Sequence, residues 1–264
     1  AKLATKILPE KEEEKEHHKH LKYIKSVDTR VDATFGTSAI NLQNLRNEIQ
    51  RMLEMARVNV DESFDAFLAG SSKSLDDVDK REDYIDYLNK EISRAAAKMM
   101  AHEANVKASK NIGSYLDMTS NIERIGDHAE NFADYTKTEL KHNTGLTGDA
   151  KEEIKKMYEA VSKLLKLSLE SFMAQDGVNT QEDKLAEIAA LEASIDKMER
   201  RYQKHHIKRL AKGDCEPRAG LLFSDMLSEL ERIADHSVNI AYSMSDEDED
   251  EMLAAENEAL ATNN

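Results

Sequence analysis

The chain has 264 residues, of which 52 are Asp or Glu and 37 are Lys or Arg, giving a formal net charge of -15. Such an acidic chain lacks the basic footprint that nucleic-acid backbones require, so nucleic acid is not an expected partner. Only 9 Gly and 2 Pro interrupt the sequence, which argues against turn-rich sandwiches and barrels and predicts an all-α fold.

Residues 1–26 are a lead that precedes the helical body. Its charged stretch at residues 11–20 predicts a short, solvated lead helix or a linker, and Leu21, Tyr23 and Ile24 are expected to attach the lead to the core. At the opposite end, residues 245–264 carry six consecutive acids and little apolar surface. They are predicted to form an acidic, disordered tail.

Residues 27–144 and 145–244 are predicted to be two copies of one unit. Residues 117–133 read DMTSNIERIGDHAENFA and residues 225–241 read DMLSELERIADHSVNIA, so Asp117 and Asp225 lie 108 positions apart. Residues 62–64 recur at 170–172 with the same spacing, and the E-x-x-I-D pattern at residues 82–86 recurs at 192–196. Three markers in the same order indicate an internal repeat.

Turn and cap residues divide the first unit into three helices. Gly70 is expected to follow the first helix, and Ser74 with Asp77 is expected to start the second. The break before the third helix has no Gly or Pro, and only the repeat places it near residues 103–108.

The second unit shows the same division. A helix is predicted from about residue 150 to 175, followed by a turn at 176–179 and a capping box formed by Thr180 and Asp183. The next helix is expected to end before Gly213, and Pro217 fits the first turn of the last helix. The predicted fold is therefore two tandem three-helix bundles, stacked as a six-helix array.

Four acidic pairs are the candidates for chemistry, because each places two carboxylates one helical turn apart on the same face. If neighbouring helices run antiparallel, two pairs face each other and a cation offsets their repulsion. Oxygen-only ligands suit Mg²⁺, Ca²⁺, Mn²⁺ or oxidised iron. The candidate metal ligands are Glu82, Asp86, Glu123, Asp127, Glu192, Asp196, Glu231 and Asp235.

These acids are also compatible with roles that involve no metal. Helices rich in Glu and Asp contain such pairs by accident, and Arg124 and Arg232 are placed to form solvated ion pairs with them. Against this, a small residue, Gly126 or Ala234, separates the acids in the last helix of each unit and permits a close approach.

The residues around the pairs carry secondary expectations. His128 and His236 point about 100° away from the acids and are expected to flank them, whereas Asn131 and Asn239 are expected to orient ligands or bound water. The remaining polar candidates are the outer acids Asp117 and Asp225, explained equally well by capping or solvation, and His205 and His206, expected on a solvated helix face.

The repeated ERIGDHAENFA and ERIADHSVNIA segments, each with an upstream E-x-x-I-D, closely resemble the PhoU family. The resemblance covers about residues 28–244. It implies tandem three-helix bundles whose paired acidic motifs bind multinuclear metal clusters of iron or zinc, with Mn, Mg or Ca as alternatives. It also implies a role in phosphate homeostasis, as a negative regulator of phosphate uptake and signalling. The family's metal motifs fall on the four acidic pairs named above.

The lead resembles the junction between membrane and cytosolic parts in bacterial sodium/phosphate cotransporters, which carry a PhoU-like domain after their transmembrane region. The matching residues are 21–24, Thr37, residues 39–40 and residues 48–52, and the chain begins with Ala1. This resemblance implies an excised cytosolic domain at the inner face of the plasma membrane.

Three functions follow from these observations. The first is a metal-binding regulatory domain of a sodium-dependent phosphate transporter, whose transmembrane region is its partner. The alternative is a free-standing PhoU adaptor, and the third is a metal-dependent phosphoesterase or di-iron enzyme. We expect no enzyme, because the sequence has no P-loop, nucleophile elbow or HExxH motif. Inorganic phosphate and a second copy of the chain are further candidate partners.

Overall fold

The computed structural model describes residues 19–24, 37–101, 103, 106–173 and 178–243. All regular structure within these ranges is helical, which confirms the predicted all-α class. The helices are α1 (Thr37–Ala69), α2 (Leu75–Met100), α3 (Val106–His142), α4 (Gly148–Met173), α5 (Val178–Lys212) and α6 (Pro217–Tyr242).

The predicted helix ends coincide with residues that suit them. Gly70 and Gly213 follow α1 and α5 with φ of 60° and 76°, a left-handed conformation that costs glycine little. Pro217 occupies the first turn of α6. Thr147 precedes α4, and its Oγ1 accepts a hydrogen bond from the backbone N–H of Ala150 at 3.2 Å. These caps supply partners for groups that a helix leaves open at its ends.

Two details of the predicted caps were wrong. Ser74 does precede α2, but its side chain makes no capping hydrogen bond. Because α5 begins at Val178, Thr180 lies inside the first helical turn and is not its N-cap. The break without Gly or Pro falls between Met100 and Val106, in agreement with the position expected from the repeat.

The two units pack into one body. The three helices of each unit contact one another, and the units meet where α1 packs on α4 and where α3 packs on α6. Phe64 of α1 stacks on Tyr158 of α4, with ring centroids 3.6 Å apart and planes 8° apart. Since one apolar core runs through both units, burial at this contact stabilises them together.

Residues 19–24 lie against α1 and α2. Ile24 is buried, which confirms that it attaches the lead to the core. The backbone N–H of Tyr23 donates to Glu48 Oε1 at 2.5 Å, and Arg51 donates to the carbonyl of His20 at 3.1 Å. Residues 19–24 are not helical. Most of the predicted lead helix, and the acidic tail from residue 245, lie outside the described residues.

Candidate metal centre

Helices α2 and α3 bring the acidic pairs of the first unit together. Glu82 and Asp86 occupy successive turns of α2, and Glu123 and Asp127 occupy successive turns of α3; all four are half-buried. Glu82 and Asp127 lie close enough across the two helices for each to shift the pKa of the other. The facing arrangement expected from the spacing is therefore present in this unit.

A glycine lets these helices approach each other. A Cβ atom at Gly126 would lie 3.3 Å from both Cδ1 and Cγ2 of Ile85, tighter than ordinary van der Waals contact. At the equivalent position of the second unit Ala234 is buried, so a small residue lies between the two acids in both units. The predicted role of this small residue, a close helix approach, agrees with the structure.

The first cluster holds its protons tightly. Burial raises the pKa of Glu82 to about 7, and the negative charges of Glu130 and Asp86 add to this effect. Burial and neighbouring carboxylates also raise the pKa of Glu123 and of Asp127. Without a cation these carboxyl groups compete for protons, because each disfavours ionisation of the others.

The structure adds two charged residues, Glu130 and Lys90, to the first cluster. Glu130 lies three residues after Asp127 on α3, half-buried near Glu82, but the second unit has Val238 at the equivalent position. Lys90 of α2 donates to Asp86 at 2.8 Å and already neutralises part of the cluster. Because Glu130 occurs in one unit only, a pattern of residues shared by both units leaves it out.

In the second unit, α5 and α6 present a comparable cluster. Oxygen atoms of Glu192, Asp196 and Asp235 lie within 4.8 Å of one another, close enough to share one metal ion. Burial raises the pKa of Glu231 to about 7, and the charges of Asp235 and of Glu199 contribute further. All four predicted pairs thus lie in two carboxylate clusters, one per unit.

A cation also approaches the second cluster. Arg200 lies 3.4 Å from Asp196, as Lys90 lies beside Asp86 in the first unit. Glu199 has no acidic counterpart in the first unit, where Asn89 stands at the equivalent position. In each unit a basic residue four positions after the second acid therefore offsets some of the negative charge, a feature that the acidic motif alone does not predict.

The donor set fits a hard cation. Every candidate ligand is a carboxylate, and such ligands suit Mg²⁺, Ca²⁺, Mn²⁺ and oxidised iron better than metals that prefer nitrogen or sulfur. The three converging oxygens of the second cluster meet the geometric requirement directly. In the first cluster, the raised pKa values of Glu82 and Asp127 indicate carboxyl groups from which a cation would displace protons.

The histidines and asparagines beside the acids serve the contact between α3 and α6. The rings of His128 and His236 stack with centroids 5.5 Å apart and planes 12° apart. His128 Nδ1 lies 2.6 Å from Glu229 Oε2, and His236 Nδ1 lies 2.9 Å from Asn121 Oδ1. Burial, with nearby positive charge, lowers the pKa of His236 to about 4.

Asn131 and Asn239, which are expected to orient ligands or bound water, make hydrogen bonds across the contact between the units. Asn131 donates to Glu229 at 3.4 Å, and Asn239 donates to Asn121 at 3.3 Å. Both amides therefore belong to the contact between the units. The helical stripe of the acids continues through these positions, but α6 and α3 cross there and provide nearer partners.

The remaining candidates lie at the edge of the clusters. Arg124 and Arg232 are exposed, and each lowers the pKa of the acid before it, although burial of that acid outweighs the effect. Asp117 is exposed, and its carbonyl accepts a hydrogen bond from Asn121. Burial and the charge of Glu229 raise the pKa of Asp225, which links it to the contact between units.

The prediction that His205 and His206 lie on a solvated face was wrong for His206, whereas the side chain of His205 is 44% exposed. His206 is buried over Gly220 and packs on Phe223, with ring centroids 5.4 Å apart. His205 Nδ1 lies 2.6 Å from Glu153 Oε1, beside a cleft of about 330 Å³ between α4 and α5. Arg209 lies 2.9 Å from the same glutamate. Both histidines are thus structural parts of the second unit.

Comparison with known sequences gives one family and two informative relatives. A family model described as the PhoU domain matches residues 49–136 and 154–244. A Clostridium acetobutylicum protein, named phosphate-specific transport system accessory protein PhoU homolog, is 24% identical over 205 residues, covering 77% of this chain and 90% of the relative. A Thermotoga maritima protein of the same description, PhoU homolog 1, is 22% identical over 197 residues, covering 74% of this chain and 82% of the relative.

Solved structures show the same fold. PhoU from Pseudomonas aeruginosa matches with a TM-score of 0.70 at 20% identity, covering 78% of this chain and 95% of that one. The phosphate transport system regulatory protein PhoU from Streptococcus pneumoniae matches with a TM-score of 0.68 at 20% identity, covering 80% and 98%. At such low identity these likenesses establish the helical architecture alone.

Proposed function

The chain belongs to the PhoU family, and on that basis we propose that it acts as an accessory protein that regulates a phosphate transport system. The observation that carries this proposal is the match to two relatives named for that role, over 90% and 82% of their lengths. The relatives' names support an accessory role, and in this proposal the paired clusters serve as conformational anchors.

Two versions of this function differ in the partner. The accessory-protein version has both named relatives behind it, whereas the version as a cytosolic domain of a sodium/phosphate cotransporter is supported by the lead residues only. None of the helices in the described ranges is long and apolar enough to cross a bilayer. Because both named relatives are accessory proteins of phosphate transport systems, we favour the adaptor version, with the transporter at the inner face of the membrane as its partner.

The proposed mechanism includes metal binding by the two clusters. A cation bound there would supply the positive charge that lets all of the carboxylates ionise together. Glu82 and Asp86 would then hold α2 against Glu123 and Asp127 of α3, and the corresponding pairs would hold α5 against α6. Because the clusters join neighbouring helices, their occupancy sets how firmly the outer helices α2 and α5 pack on the body.

The test of the regulatory function is phosphate uptake in the organism that encodes the chain. Deleting the gene is expected to raise uptake when phosphate is abundant, and restoring the wild-type gene should lower it again. A restored variant carrying Asp127→Asn and Asp235→Asn, expressed at the same level, should fail to lower uptake. If deletion leaves phosphate uptake and the phosphate-starvation response unchanged, the proposed function is wrong.

The test of the metal sites is elemental analysis of protein purified without a metal-binding tag. The double variant Glu123→Gln with Asp127→Asn removes two ligands of one cluster, so metal content is expected to fall by about half while the helical signal is retained. The matched control is Asp117→Asn, on the same helix but outside the cluster. Unchanged metal content in the double variant would contradict the assignment of these ligands.

A further inference from the structure

The C-terminal half of α5 is basic in an otherwise acidic chain. Residues 197–212 contain seven Lys or Arg and a single acid, Glu199, whereas the whole chain has a net charge of -15. The basic residues of this stretch are Lys197, Arg200, Arg201, Lys204, Lys208, Arg209 and Lys212. Such a concentration of positive charge on a single helix favours an anionic partner.

Helical spacing gathers these charges on one exposed face. At about 100° per residue, Lys197, Lys204 and Lys208 lie within a narrow arc, with Arg201 and Lys212 at its edge. All five are exposed. The row extends over about 22 Å at 1.5 Å per residue. We refer to these five residues as the basic α5 face.

The ammonium groups of this face are available to a partner. Arg200 and Arg209, beside the face, are engaged by Asp196 and Glu153. By contrast, Lys197, Lys204, Lys208 and Lys212 form no ion pair with any other residue that the structure describes. Asp214 and Glu216 in the turn after α5 reduce the local positive charge, as do Asp149 and Glu152 of α4, which line the same cleft as Lys208.

Large apolar side chains accompany the lysines. Ile207 of α5 is 62% exposed and Leu221 of α6 is 69% exposed. They directly follow His206 and Gly220, the residues at which α5 and α6 touch, so both lie at the same end of the helix pair. Leu210 is also exposed, but it lies on the other side of α5 from the lysines and is not part of this surface. Lysines around exposed aliphatic side chains are typical of protein surfaces that lie on lipid.

We propose that the basic α5 face binds the surface of an anionic lipid bilayer. Each lysine close to such a surface strengthens binding about fivefold, and the exposed aliphatic side chains add apolar contact with the headgroup region. Salt screens charges beyond about 10 Å.

The proposal deepens the membrane-side location given above and places α5 at the lipid. It needs neither the transporter nor bound metal, so a vesicle assay tests it separately from the proposed function. The same cations would also attract an acidic polypeptide, and the run at residues 246–251 is the obvious competitor. We take lipid as the occupant because Ile207 and Leu221 are exposed beside the lysines, and the vesicle experiment distinguishes lipid from the acidic run.

The experiment is sedimentation of the full chain with vesicles of phosphatidylglycerol and phosphatidylcholine, or of phosphatidylcholine alone. Binding is expected only with phosphatidylglycerol and should weaken as salt is raised. Lys204→Glu with Lys208→Glu should lower affinity by at least about thirtyfold, the effect of two lysines. The matched control, Lys98→Glu with Lys166→Glu, makes the same charge change at exposed positions of α2 and α4 and should stay within about twofold of wild type.

Two further variants separate the alternatives. Ile207→Ser with Leu221→Ser keeps every charge and is expected to weaken binding at both low and high salt. Failure of the wild-type chain to bind phosphatidylglycerol at low salt, or an equal loss in the matched control, would overturn the proposal. Binding seen only after residues 246–251 are changed to Asn and Gln would also overturn it, since the acidic run would then be the occupant of this face.

Discussion

Replacing Gly220 by alanine tests the packing of α5 on α6. A Cβ atom at this position would lie 2.3 Å from Cε1 and 2.6 Å from Nε2 of His206, whereas ordinary contact begins at 3.4 Å. The imidazole would have to retreat by about 1 Å, but it is buried and packed on Phe223. The substitution should therefore strain the core of the second unit.

The magnitude follows from two opposing effects. Alanine in a helix interior is favoured over glycine by about 1 kcal/mol. Overpacking a rigid core costs about 1–3 kcal/mol, and an overlap of this size belongs at the upper end. Gly220→Ala should thus lower the free energy of unfolding by about 2 kcal/mol. Gly113, inside α3, has no atom within 4 Å of its added Cβ, so Gly113→Ala should raise it by about 1 kcal/mol.

Urea unfolding followed by circular dichroism measures both variants, with the midpoint and slope determined for each. The two should differ by about 3 kcal/mol in the free energy of unfolding. Equal stabilisation by both alanines would refute the contact between Gly220 and His206. The double variant Gly220→Ala with His206→Ala provides a second check, because it should recover part of the loss seen in Gly220→Ala if the two sites are coupled.

Two more predictions concern the clusters and the core. The raised pKa values of Glu82 and Glu231, about 7 in each case, mean that the folded metal-free protein binds protons more tightly than the unfolded chain. Their contribution to stability is complete below about pH 4.5 and is lost as pH rises to about 7. The double variant Glu82→Gln with Glu231→Gln should therefore lose less stability over this range, as measured by urea midpoints in a pH series. If the midpoints of the variant fall with pH as steeply as those of the wild type, this reasoning is contradicted. Phe64→Ala should cost about 3–5 kcal/mol, because the ring is buried and stacks on Tyr158 of the other unit. A calorimetric scan showing two separate transitions already in the wild type would contradict the shared core.

Much of the fold could be predicted from local features of the sequence. Gly70, Gly213 and Pro217 mark helix boundaries because backbone conformation at these positions depends on the residue itself. The break between α2 and α3 lacks such a residue, and only the repeat located it. Thr180 led to a wrong prediction of the helix start, because a residue that suits an N-cap is also tolerated inside the first turn of a helix.

The sites were harder to predict where they depend on helices crossing. The four acidic pairs were found because each is repeated, but whether they bind metal stays a prediction. Lys90 and Arg200 were overlooked, since each matters only through the acid one turn earlier. His206 resembled a surface histidine, because its burial depends on Gly220, which has no side chain to occupy the same space.

At the contact between α3 and α6, equivalent helices of the two units meet, but their histidine side chains have different partners. Helices that occupy the same place in each unit meet there, and α1 meets α4 in the same manner. This is the isologous arrangement that a two-fold dimer of a single three-helix protein would use. In such a dimer both histidines would necessarily face identical residues. In this chain His128 faces Glu229 and His236 faces Asn121, so joining the copies has allowed the two sides to acquire different charge.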